Sequence, residues 1–192
     1  MPTLVCFGDR IPAIKNENQS FVSAAIREQM TSWVVIDSTV YGRSSREGMT
    51  RFQDDVLMYN PDLVTIMFGM HDASTTNFVP IQEYKANLRY MVNKLSPKKT
   101  ILVSPVPLIY EKQMGMNALI RTYVKEMENV AHDTGTRYVN LWQHAFSESV
   151  EQNELHHILE KKLIHQLLEK EEIKETKKNL LQKFNLGISR VL

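Results

Sequence analysis

Four short stretches of the 192-residue chain concentrate side chains able to move protons, attack carbon or hold an anion. They are Phe7-Gly8-Asp9-Arg10, Tyr41-Gly42-Arg43-Ser44-Ser45, Gly69-Met70-His71-Asp72 and Asn153-Glu154-Leu155-His156-His157. A carboxylate acting with a histidine can draw a proton from water, and Asp9 or Asp72 with His156 offers one such device. Ser44 and Ser45 carry hydroxyls, but serines in a loop of this kind serve more often as turn formers or helix caps. Cys6 lies inside an apolar run, where a thiol acts as a small buried hydrophobe. His156, His157, Glu160 and His165 include the atoms of a metal site. Adjacent histidines on a helix point to different faces, however, so no metal is expected there.

These stretches need a scaffold, and the apolar pattern supplies one. Runs rich in β-branched residues recur at Thr3 to Phe7, Trp33 to Ile36, Leu63 to Phe68, Thr100 to Val103 and Arg137 to Val139. Their apolarity is continuous rather than alternating, as expected of strands covered on both faces. Helical spacing lies between them: Phe21, Val22, Ala25, Ile26 and Met30; then Tyr84, Leu88, Met91, Val92 and Leu95; then Leu119, Ile120, Tyr123, Met127 and Val130. The alternation predicts an α/β domain of three layers, with a five-stranded, mainly parallel, flavodoxin-like sheet between helices. Function is then expected at the carboxyl ends of the strands.

From about Glu151 the composition shifts to Glu, Lys, Leu and Gln, with apolar residues at helical spacing from Leu155 to Phe184. We expect one domain over residues 1–168 and an amphipathic helical extension over 169–192. That extension either packs on the sheet and then runs into solvent, or serves as a homodimer helix.

Taken in order, the four stretches resemble the conserved blocks of the SGNH (GDSL) hydrolases. Gly8-Asp9 after the first strand matches an opening block that usually reads Gly-Asp-Ser. Gly42 matches the loop glycine whose N–H faces the oxyanion. Pro61-Asp62, the strand and Gly69-Met70-His71-Asp72 match a block that usually ends Gly-x-Asn-Asp. Asn153-Glu154-Leu155-His156 matches Asp-x-x-His. The resemblance implies an esterase or acylhydrolase fold and places Arg10 at the nucleophile position, His71 at the oxyanion asparagine, Asn153 at the triad acid and His156 at the triad histidine. Shifting the last block by one residue gives Glu154 and His157 instead.

The substitutions work against serine chemistry. A guanidinium stays protonated and cannot attack a carbonyl, so Arg10 closes the acyl-enzyme route at its position. Loss of the triad acid costs about 10⁴ in turnover in a protease example, and loss of an oxyanion donor about 10² to 10³. His71 retains an N–H able to face an oxyanion. The expected function is a diverged or inactive esterase that keeps its cleft; the alternative is an atypical hydrolase of small acyl or carbohydrate esters. Arg10, expected where the first strand turns into a helix, and Arg43 would bring two cations to backbone N–H groups. With Asp9 and Asp72 nearby, they make a candidate site for a carboxylate or phosphate. A competing arrangement pairs Arg10 with Asp72 or Asp9 and plugs the pocket.

Composition narrows the partners. With 23 basic and 22 acidic residues the formal charge is +1, which gives no reason to expect nucleic acid. No stretch approaches the roughly 20 apolar residues of a membrane span. The single cysteine and the apolar, uncharged start fit a cytoplasmic protein. Only one glycine, Gly8, stands in Gly8-Asp9-Arg10-Ile11-Pro12, which disfavours a phosphate-cradling nucleotide binder, and no cofactor is expected. A small-molecule ligand or ester substrate is the expected partner.

Overall fold

The apolar runs form strands, and the computed structural model, which describes residues 1–10, 12–13, 16–108 and 114–146, shows how they assemble. Strands β1 (Thr3–Asp9), β4 (Val34–Val40), β5 (Leu63–Met67), β6 (Thr100–Val103) and β7 (Arg137–Val139) form one parallel sheet in the order β4-β1-β5-β6-β7. Numbered among the parallel strands alone, the order is 2-1-3-4-5, the flavodoxin-like arrangement, so β1 and β5 flank the switch point. The two other strands, β2 (Pro12–Ala13) and β3 (Asn16–Ser20), form a separate antiparallel pair between β1 and the first helix.

Alternate residues of β1 serve opposite faces. Val5 and Phe7 join one core with Phe52, Tyr84, Leu88, Met91 and Tyr123, contributed by α2 (Ser45–Asp55), α3 (Ile81–Leu95) and α4 (Asn117–Thr134). Leu4 and Cys6 join the other core with Val22 and Ile26 of α1 (Phe21–Gln29), and with Leu141 of the short α5 (Leu141–Phe146). Each fully buried aliphatic or phenyl side chain here contributes about 1.5–3 kcal/mol, which secures the sheet between its two helical layers.

Two buried tyrosines fix the segment that leaves β5. Tyr84 Oη donates to Phe68 O at 3.1 Å and Tyr123 Oη donates to Val79 O at 2.6 Å, with the rings packed edge to face at 5.1 Å. The chain from Phe68 to Val79 is thereby anchored at both ends, and the Val79 N–H closes it on Asp72 O at 3.0 Å. At the end of β1, Arg51 lies 4.5 Å over the Phe7 ring and donates to Ser38 O and Gly8 O, clamping β4 to β1.

Gly8 sets how closely β1 and β5 approach. Its φ is +129°, and a Cβ there would lie 2.0 Å from Met67 O. Gly135, at the end of α4, has φ +67° with open space around it. Gly8→Ala should therefore cost about 3 kcal/mol or more, against about 1–2 for Gly135→Ala, where only backbone conformation is penalised. Equal shifts in denaturant midpoint would contradict this account. Tyr123→Phe, which strands the buried Val79 carbonyl, should cost about 1–3 kcal/mol in the same measurement.

Candidate functional site

The sheet places three of the four stretches at one edge. Asp9 is the last residue of β1, and its carboxyl group is almost wholly buried. β4 ends at Val40, and the turn that follows carries Gly42 at φ +77°, whose N–H donates to Asp9 Oδ1 at 3.0 Å. The Arg43 N–H lies near the same carboxylate and favours its charged form, though burial outweighs these effects and raises the pKa of Asp9. From the segment after β5, His71 brings Nδ1 to 2.5 Å from Asp9 Oδ2. A carboxylate only accepts, so Nδ1 carries the proton and the neutral imidazole keeps its lone pair on Nε2. The hydrogen bond to Asp9, outweighing partial burial, raises the pKa of His71 above its ordinary value.

His71 is mostly enclosed but not sealed, its side chain 20% exposed. The Tyr41 ring stands edge-on with its centroid 5.6 Å away. Nε2 lies on the side where Gly42 lacks a side chain: a Cβ there would sit 4.0 Å from that nitrogen. Asn77 Nδ2 donates to Gly42 O at 3.0 Å and steadies the turn. A small hollow open to solvent is lined by Asp9, Met67, Phe68, Met70 and Pro105.

Asp72 supports the same edge from beneath. Fully buried, it accepts from the Ser45 N–H at 2.9 Å and the Gly69 N–H at 3.0 Å, joining the start of α2 to the β5 segment. Burial pushes its carboxyl up to about 6 against these bonds. Ser44 and Ser45 are buried as well. The Ser44 N–H and hydroxyl both donate to Glu47 at the start of α2, and Ser45 Oγ accepts from Asn87. Both serines thus serve the start of α2. Cys6 is buried within β1, and burial raises its thiol to about 12, far from a reactive thiolate.

Four expectations need correction. Arg10 does not sit at a helix N-terminus: the β2–β3 pair intervenes and α1 begins at Phe21. Its guanidinium donates to Thr39 O at 3.0 Å, and its N–H to Val40 O. Arg43 pairs with Glu47 at 2.5 Å, so it is no second cation for an anion. The two carboxylates considered as partners for Arg10 have other donors, Asp9 holding His71 and Gly42, and Asp72 holding Ser45 and Gly69. In addition, the Gly42 N–H, expected to face an oxyanion, is given to Asp9.

Sequence reasoning placed Asp9, Gly42 and His71 at one strand edge but missed the Asp9–His71 pair and the role of Asn77. The available signal was positional: Gly8 pairs in register with Met67, which sets Asp9 beside the start of the His71 segment. Asn153, Glu154, His156 and His157 lie outside the described residues, as do Glu160, His165 and the 169–192 extension. Among the described residues no group of three or more His, Cys, Asp or Glu is placed to hold a metal. No helix among them is long and apolar enough to cross a membrane.

Comparison with known proteins agrees with this architecture. The chain is 35% identical over 106 residues to an isoamyl acetate-hydrolyzing esterase 1 homolog of Mus musculus, covering 44% of this chain and 43% of that protein. It is 28% identical over 124 residues to an acetylxylan esterase of Geobacillus stearothermophilus, covering 59% and 56%. These alignments thus span about half the length of the two relatives. Among solved structures, a lipase/acylhydrolase from Enterococcus faecalis superposes with a TM-score of 0.76 at 20% identity, covering 87% of this chain and 95% of that one. The Geobacillus acetylxylan esterase superposes with a TM-score of 0.68 at 20% identity, covering 86% and 93%. The family model for the GDSL-like lipase/acylhydrolase family matches residues 6–157, and with four-fifths of its length inside that match the chain belongs to this family.

Proposed function

We propose that this domain has lost the serine-dependent acyl-enzyme route of its family and keeps the cleft at the carboxyl ends of β1, β4 and β5 for a small-molecule ligand. The observation that carries the reading is Arg10, which directly follows Asp9 at the end of β1, where the family places its nucleophilic serine. Variants of the Geobacillus esterase described as catalytic mutants replace a serine, and an aspartate and a histidine three positions apart. The same spacing occurs here twice, as Asn153 and His156 and, one residue on, as Glu154 and His157; we favour the first register, in which the acid as well as the nucleophile differs. Ser44 and Ser45, two hydroxyls that closely follow Gly42, are held in the packing of α2. The pairing of Arg43 with Glu47 speaks against a two-cation anion site.

Stopped-flow mixing with short activated esters, combined with labelling by a fluorophosphonate, tests this directly. The expected result is no burst and no labelled serine. Arg10→Ser alone should not restore strong activity, because the acid position remains amidated. A burst, a labelled serine or wild-type turnover in the ordinary enzyme range of about 1 to 10³ per second would overturn the proposal.

A further inference from the structure

We propose that Asp9 and His71 form a water-activating dyad, in which His71 Nε2 is the general base for direct hydrolysis of short-chain acyl esters and Asp9 is its positioning residue. The inference rests on the reading that the serine route is closed. The geometry has the parts such a base needs. A buried carboxylate holds Nδ1–H at 2.5 Å and so fixes the tautomer and ring plane. The Gly42 N–H orients that carboxylate at 3.0 Å and, with His71, opposes the burial that raises its pKa. Nε2 is left beside a glycine with no side chain to shield it.

The step balances without a covalent enzyme intermediate. Water held by Nε2 attacks the acyl carbon, forming a C–O bond as the carbonyl electron pair moves to oxygen and the water proton passes to Nε2. The imidazolium is stabilised by Asp9. When the carbonyl reforms, the ester C–O bond breaks and the leaving alkoxide takes the proton from Nε2, giving acid and alcohol and regenerating the neutral ring. The Gly42 N–H is bound to Asp9 rather than aimed at the oxyanion, so the rate should fall well short of a complete esterase. A positioned general base alone supplies about 10² to 10⁴ over the uncatalysed reaction.

The probe is p-nitrophenyl acetate with the full chain, wild type compared with His71→Asn and Asp9→Asn. Wild type should hydrolyse it linearly from the first turnover, about 10²-fold or more above buffer, and more slowly in D₂O because a proton is in flight. The rate should rise with pH through a midpoint above the ordinary imidazole value of 6.5. The charges bearing on that midpoint are Asp9 from β1, Asp72 from the segment of His71 itself, and Glu47 from α2. His71→Asn should abolish the enhancement. Asp9→Asn should lower both the rate and the His71 titration midpoint followed by NMR, a paired change that loss of packing alone would not produce. If His71→Asn fails to fold, the D₂O effect and the coincidence of kinetic and NMR midpoints in wild type still decide the matter. Wild-type hydrolysis no faster than His71→Asn, or unaffected by D₂O, would overturn the dyad and leave the closed serine route standing. A burst with a labelled serine would instead overturn that earlier reading.

Discussion

The buried carboxylate of Asp9 is the point on which the candidate site depends. A charged group at 4% exposure survives only if its oxygens are matched, and here the matching donors come from two other chain segments: the turn after β4 and the segment after β5. Desolvation of that one group thus requires three segments, remote in sequence, to meet at the sheet edge. Asp72 repeats the device one layer deeper, drawing the first turn of α2 to the same loop through backbone N–H groups. The sheet supplies the edge, and the two carboxylates order the loops upon it.

The same arrangement explains why the substitutions fit together. With histidine in place of the family's usual asparagine, Asp9 gains a partner that can itself carry charge, and the pair can hold one proton between them over a wider pH range than either group alone. The N–H of the turn glycine, Gly42, is given to the same carboxylate. Arg10, which the resemblance sets at the nucleophile position, turns toward the carbonyl of Thr39 on β4 and lends the edge a further cross-strand tie. Each change has a structural use that does not depend on serine chemistry.

Much of the fold was legible because the sheet is buried on both faces. β6 and β7 begin and end where their apolar runs do, and the stripes from Tyr84 and Leu119 lie within α3 and α4. Legibility failed where polar residues carry structure. β4 extends through Asp37, Ser38 and Thr39, because Asp37 accepts bonds from Ser23 and Thr39 that satisfy it at a half-buried edge. The pair β2–β3 includes Asn16 to Ser20, a polar run with low strand preference. α2 has few buried side chains and is held instead by its capped start and by Gly48 against Phe68. Within the site, chain order and strand ends located Asp9 and His71, but a bond across 62 residues is a product of register and has no local pattern.

The burial of Cys6 gives the molecule an internal reporter. The chain has a single thiol, fully enclosed in β1, an interior strand flanked by β4 and β5. An alkylating reagent can reach it only when the layer carrying Val22, Ile26 and Leu141 lifts from that face of the sheet, an opening that dismantles the core around it. The rate of thiol modification in the native protein is therefore a clock for opening of that core, separate from fraying of the loops around Asp9 and His71. Loosening at the site and loosening of the scaffold beneath it can be timed separately in the same molecule without introducing a probe.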